Sequence, residues 1–99
     1  MLSLNVRSLR PGMTSVTVEG VVSSKGEPRL VDTRYGPARV CTARLRGDDG
    51  REINLSLWNE QIDLVEVGDR VRIENGYVSS YRGRLYLSSG RRGRLVKLE

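Results

Sequence analysis

Glu52-Ile53-Asn54-Leu55-Ser56-Leu57-Trp58 alternates cleanly between apolar and polar residues, the period-two pattern of a half-buried β-strand. Ile53, Leu55 and Leu57 share one face; Glu52, Asn54, Ser56 and Trp58 share the other. A tryptophan placed for core packing falls in phase with the leucines. Trp58, the only tryptophan in the chain, falls in phase with the polar residues, so it is expected to face solvent or a ligand. Tyr77, Tyr81 and Tyr86 occupy a similar setting among serines, glycines and arginines.

The flanking segments supply a sheet for this strand. Gly47-Asp48-Asp49-Gly50 is a hairpin signal, and Val40 to Arg46 reads as the preceding strand, with Cys41, Ala43 and Leu45 alternating with Thr42, Arg44 and Arg46. Ser15 to Ser24 reads as a first strand, with Val16, Val18 and Val22 apolar, and Gly20 in its middle marks a bulge or sharp bend. Lys25 to Pro37 is expected to be a long connection with its own turn at Arg34-Tyr35-Gly36-Pro37. Asn5 is placed to cap a short turn over Val6 to Leu9, which Pro11-Gly12 ends.

After Trp58 the alternation breaks. Ile62 and Val65 lie three apart, as on one or two turns of helix. Val67-Gly68-Asp69 then turns into a fourth strand, Arg70 to Ser79, with Val71 and Ile73 facing the core. Asn75-Gly76 is expected to insert a bulge that resets the phase, so that Val78 faces in and Tyr77 faces out. Tyr81-Arg82-Gly83 forms a second hairpin tip before a fifth strand, Arg84 to Ser88, with Leu85 and Leu87 inward and Arg84, Tyr86 and Ser88 outward. Leu95 to Leu98 can add a short closing strand.

Five strands, a short helix between strands 3 and 4, and a glycine in mid-strand 1 describe an all-β, five-stranded OB-fold barrel. An SH3-like barrel leaves the helix unexplained. In an OB-fold, strands 2 and 3 and the 1–2 and 4–5 loops form the binding face. Here that face would collect Arg44, Asn54, Ser56 and Trp58, flanked by the Arg29–Arg39 loop and the Tyr81–Gly83 hairpin.

Composition narrows the partner. Ninety-nine residues make one domain, 1–99, with room for one modest core. There is no Phe, so that core is built from Val, Leu and Ile, as suits a small β-protein. No apolar run reaches the roughly 20 residues of a membrane span, no signal-peptide pattern opens the chain, and a lone cysteine forms no intrachain disulfide. These features predict a soluble, cytoplasmic protein with no membrane association. The net charge is +5, and residues 82–94 carry five cations (Arg82, Arg84, Arg91, Arg92, Arg94) and no acid. Outside that window cations and acids balance, so an anionic partner is expected around the last strands. Fifteen of the seventeen cations are arginine, which favours bidentate phosphate contact and stacking on bases.

Several segments are similar to one family. Leu9-Arg10-Pro11-Gly12-Met13, Gly50-Arg51 through Leu55-Ser56-Leu57-Trp58, the run Val67-Gly68-Asp69-Arg70-Val71-Arg72-Ile73-Glu74-Asn75-Gly76-Tyr77, and Tyr81-Arg82-Gly83 fall in the order and spacing of its motifs. The chain resembles the simple single-OB-fold, single-stranded DNA-binding proteins of archaea, which have close relatives in animals. The resemblance implies that Trp58, Tyr77 and Tyr81 stack on successive bases. It also matches Arg29, Thr33 and Arg34 to the basic and hydroxyl residues of the family's binding loop. Animal relatives carry an aromatic where this chain has Ser88, and Tyr86, two residues earlier on the same face, stands in for it. Family members usually continue into a long, often Gly-rich tail that recruits partners; before Glu99 no such tail occurs, so either it lies beyond this sequence or this member only binds DNA.

The expected function is therefore coating of single-stranded DNA, with little sequence specificity and some pyrimidine preference, in replication, repair and recombination on nucleoid DNA. The rivals are an RNA-binding OB module and an OB subunit that docks other repair or replication proteins. Rings at Trp58, Tyr77, Tyr81 and Tyr86 would stack on bases; Arg34, Arg39, Arg44, Arg82 and Arg84 would neutralise phosphates; Asn54 and Ser56 would hydrogen-bond. Arg91, Arg92 and Arg94 could extend the track, whereas Arg70 and Arg72 are expected to serve solvation or to pair locally with Glu74 and Asp69. Tyr35 reads as a loop residue. With no His, a cysteine in phase with the core, Asp48-Asp49 reading as a turn, and no nucleophile, P-loop or zinc pattern, neither an enzyme nor a metal or other cofactor is expected.

Overall fold

The structure, a computed structural model, describes residues 3–98. Among these, seven strands run in chain order: β1 (Thr14–Lys25), β2 (Arg29–Thr33), β3 (Gly36–Gly47), β4 (Glu52–Trp58), β5 (Arg70–Tyr81), β6 (Arg84–Ser88) and β7 (Arg94–Leu98). A 3-10 turn, Val6–Ser8, precedes them, and helix α1 (Glu60–Leu64) joins β4 to β5. Five strands close a barrel in the order β1-β3-β4-β6-β5, returned to β1 by direct β1–β5 pairing. Every pairing is antiparallel except β4–β6, where only Asn54 to Ser56 meet Tyr86 to Ser88. This is the expected OB-fold with two additional strands, β2 on β3 and β7 on β5.

The barrel closes because β1 serves two neighbours. Thr14 to Val21 pair with β5, while Gly20 to Lys25 pair with β3. Gly20 sits at the crossover, opposite both Gly47 and Val71. A Cβ there would run into the carbonyl oxygen of Arg46, so only glycine lets the strands approach this closely. The expected bend is present, and the register irregularities fall to either side of it.

The alternating residues fill the interior as expected. Val18, Val22, Ala43, Leu45, Leu55, Leu57, Val71, Ile73 and Leu87 are fully buried, and Val6 and Leu9 plug one end. Ile62 and Val65 are buried beside them. Cys41 is buried too, its thiol donating to the Gly26 carbonyl at 3.2 Å. Asn75 takes a positive φ of 54° at the β5 irregularity, after which Val78 is buried and Tyr77 exposed.

Two local expectations are corrected. The segment 25–37 is not one long connection: Arg29–Thr33 form β2, and β3 begins at Gly36 rather than Val40, making a two-stranded arm. Sequence alternation missed it because neither face of β2 is buried in the core. Asn5 makes no side-chain bond to the turn it precedes; the Leu9 amide closes that turn by donating to the Val6 carbonyl.

Candidate nucleic-acid interface

Register arranges the outward side chains of β3, β4, β6 and β5 in transverse rows. One row is Arg44, Asn54, Tyr86 and Ser79; the next is Thr42, Ser56, Ser88 and Tyr77, in which Ser88, expected to be exposed, is instead buried at 3% exposed, its hydroxyl accepting from the Gly90 amide at 3.2 Å. Trp58, opposite Val40, ends β4 on the same face. The phase of Trp58 is therefore polar-side, as its sequence implies, and its ring is half-buried rather than fully exposed.

Trp58 and Tyr77 line one open groove of about 650 Å³. The turn of the β2–β3 arm forms one rim, with Thr33, Arg34 and Tyr35, and the β6–β7 turn forms the other, with Ser89, Gly90 and Arg91. Gln61 fixes the wall: its side-chain carbonyl accepts from the Trp58 amide at 3.0 Å, and its NH2 donates to the Ser89 hydroxyl at 2.8 Å. Gly90 has φ 62°, and a Cβ there would overlap the Tyr77 ring, so the glycine makes room for that ring. Tyr35, 69% exposed, faces Arg91, whose guanidinium carbon lies 3.8 Å from the ring centroid. Tyr35 and Gln61 are among the groove residues that sequence reasoning passed over. A ring in a turn, outside any alternating segment, carries no phase signal.

The remaining rings lie apart from this groove. Tyr86 is half-buried in the middle of the face. Tyr81 ends β5, about 13 Å from Tyr77 along the strand, and is exposed, with the Arg82 guanidinium 5.3 Å from its ring centroid. Arg82 and Gly83 both take positive φ, 53° and 78°, as the two-residue hairpin turn demands.

The polar candidates divide by what they already hold. Thr33 uses its hydroxyl to fix the arm, donating to the Gly36 carbonyl at 2.7 Å and accepting from the Tyr35 amide at 3.1 Å. Asn54 is 8% exposed, and its carbonyl accepts from Arg44 at 3.2 Å. Arg44 also pairs with Glu52 at 2.9 Å, and Arg39 with Asp63 at 3.0 Å. The Glu52 carboxyl is held below the usual glutamate range by the Arg44 hydrogen bond first and by one from Ser23. Arg29, Arg34, Arg82 and Arg84 are exposed and hold no carboxylate among the described residues. Ser56 is half-buried beside Thr42 and Ser88. Arg70 pairs with Asp48 and Glu19 rather than Asp69, Arg72 with Glu19 and Glu74, and Arg94 with Glu74.

An OB barrel bearing an open aromatic groove and unpaired arginines on one sheet face has the parts that a single-strand binder needs. The profile of the family described as single-stranded DNA binding protein Ssb-like, OB fold, matches residues 9–97. The chain belongs to that family, one of binding proteins rather than enzymes. It is 28% identical over 92 residues to the single-stranded DNA binding protein Ssb of Saccharolobus solfataricus, a match covering 93% of this chain and 62% of that one. It is 34% identical over 82 residues to replication factor A of Methanothermobacter thermautotrophicus, covering 82% of this chain and 10% of that one. It thus spans less than two thirds of either relative. In fold it is similar to the OB domain of Ta0387 from Thermoplasma acidophilum, with TM-score 0.79, 22% identity, and coverage of 97% and 86%. No helix among the described residues is long and apolar enough to cross a membrane.

Proposed function

We propose that the β3-β4-β6-β5 face binds single-stranded DNA with little sequence preference and coats it during replication, repair and recombination, on nucleoid DNA and beside other proteins of those processes. The observation that carries this reading is the pairing of Trp58 with Tyr77 in one open groove, in a chain of the Ssb-like family. Bases of a single strand present free π-faces, and stacking one on an aromatic ring is worth about 1–3 kcal/mol with little dependence on sequence. Trp58 and Tyr77 take neighbouring bases. Tyr35 offers a third ring on the rim: a base displaces the Arg91 guanidinium from it and frees that arginine for a phosphate. Tyr86 and Tyr81 continue the stacking surface toward the β5–β6 turn, where Arg82 and Arg84 meet phosphates. A duplex hides the base faces and gains only the electrostatic part.

The test is quenching of Trp58 fluorescence on titration with an oligothymidine, repeated with matched RNA and duplex DNA at two salt concentrations, and anisotropy of the labelled strand with Trp58→Ala. Strong, salt-sensitive quenching by the DNA strand alone is expected. The Ala variant should stay folded and bind about ten- to a hundredfold more weakly, from the loss of one stacked base. Equal affinity for RNA would reassign the ligand, and near-wild-type affinity of the variant would remove stacking from the account.

A further inference from the structure

At the other end of the same face lies a second groove, and its walls are arginine. The parallel β4–β6 contact extends no further down than Asn54 and Tyr86. Below it the strands separate, and the 3-10 turn fills the end of the barrel with Val6 and Leu9. Between them is an opening of about 470 Å³, lined by Arg7, Arg10, Arg44, Arg51 and Arg84 around Ile53, Leu85 and the lone carboxylate of Glu52. That carboxylate is taken by Arg44 at 2.9 Å. Arg10 is oriented by its own turn, its guanidinium donating to the Arg7 and Leu9 carbonyls at 2.8 and 2.9 Å. Asp49, at the edge, spends its carboxylate on backbone amides, accepting from Arg7 at 3.0 Å and Arg51 at 3.2 Å.

Stability does not explain this arrangement. Five guanidiniums gathered around one lining carboxylate repel one another, whereas on the β1-β5-β7 surface Arg70, Arg72 and Arg94 each hold an acid. Arg7, Arg10, Arg51 and Arg84 are exposed and hold no carboxylate in an ion pair among the described residues, and such guanidiniums raise the local positive potential and match the fork geometry of phosphate oxygens. The groove shares Arg44 and Asn54 with the central row of the face, next to Tyr86. It lies about 20 Å along β4 from Trp58, so a strand must be long to reach both.

We propose that this groove is a phosphodiester site for the continuation of the single strand whose bases stack at Trp58 and Tyr77. Arg7, Arg51 and Arg84 are its phosphate ligands, and Arg10 is a fixed cation at its end. Three of these arginines come from segments far from residues 82–94, where the charge excess of the sequence lies. The assignment rests on the reading of the face as a single-strand binder, and the experiment separates the two.

The double variant R7Q/R51Q is compared with wild type by Trp58 quenching, using oligothymidines of about five and about twelve nucleotides across a salt series. Both side chains are exposed, and the Arg7 and Arg51 amide bonds to Asp49 survive the change. For the longer strand the log–log salt slope should shrink by about 1.4, at about 0.7 for each phosphate no longer neutralised, with affinity at low salt falling about tenfold. The short strand should bind both proteins alike. Equal weakening on both lengths, or none on the longer one, overturns the groove as a phosphate site while leaving the aromatic face standing. A wild-type protein that quenches with neither strand overturns the face itself, and this site with it. R7E/R51E should enlarge the length-dependent weakening; an effect no larger than that of R7Q/R51Q overturns the assignment as well.

Discussion

The two sides of this barrel treat their arginines differently. On the surface of β1, β5 and β7, Arg70 is shared by Asp48 and Glu19, Arg72 sits between Glu19 and Glu74, Arg94 holds Glu74, and Lys97 holds Asp69. On the β3-β4-β6 side and its two turns, Arg39 holds Asp63 and Arg44 holds Glu52, but Arg7, Arg34, Arg51, Arg82 and Arg84 hold no carboxylate among the described residues, and Arg91 lies on an aromatic ring. Exposed ion pairs contribute little to stability, so the back is better understood as neutral than as stapled. The net charge of +5 therefore has a direction. Field lines leave from the side that also exposes the rings, and an anionic strand is drawn to the surface able to stack its bases.

The harshest way to break the contrast is to remove the bend that makes two sides. Gly20 lets β1 pair with β3 and β5 at once, and a methyl there meets the Arg46 backbone rather than a side chain that could move. Gly20→Ala should cost about 3 kcal/mol or prevent folding, because overpacking a backbone contact forces strands apart. Urea denaturation checks this; a destabilisation below about 0.5 kcal/mol would mean that the seam has slack.

A gentler substitution pair sharpens the contrast. Arg84→Gln removes an unpaired guanidinium from the front, and Arg72→Gln removes a paired one from the back. Both lower the formal charge by one. The first should reduce the salt slope of single-strand binding by about 0.7, and the second should leave it unchanged. Equal slopes for the two variants would mean that net charge, not its placement, governs binding.

Much of this was legible in the sequence, and the parts that were not share a physical cause. Strands that alternate against the core, β1 and β4 above all, announce themselves, and so does the turn chemistry of Tyr81-Arg82-Gly83. The arm of β2 and β3 reads as loop in the sequence because its stability comes from backbone pairing, Arg29 to Val40 through Thr33 to Gly36, and not from a buried face. Tyr35 goes unrecognised with it. Charge is misplaced for a different reason. A sequence window counts cations and acids as cancelling when they are near in number, whereas Glu19, Asp48 and Glu74 all lie against the back. Arg94, counted with the excess, is paired, while Arg7, Arg10 and Arg51, counted as balanced, gather in the groove.

Glu52 is where the two treatments of arginine meet, and it yields the smallest and most discriminating effect. It is the one carboxylate lining the arginine groove, and it neutralises Arg44 in the central row of the face. Because hydrogen bonds from Arg44 and Ser23 lower its pKa, it stays charged through the neutral range. A lowered folded-state pKa means that the stabilisation from this pair is present above the ordinary glutamate range and disappears as pH falls through the lowered value. At neutral pH the pair is therefore intact, and Arg44 is muted. Glu52→Gln keeps the shape and a hydrogen-bonding carbonyl but frees the guanidinium. Single-strand affinity at low salt should rise about two- to fivefold, the worth of one weak contact, with the salt slope steeper by up to about 0.7. If the variant binds more weakly instead, Glu52 orients Arg44 for the strand rather than restraining it, and the single acid lining that groove belongs to the site.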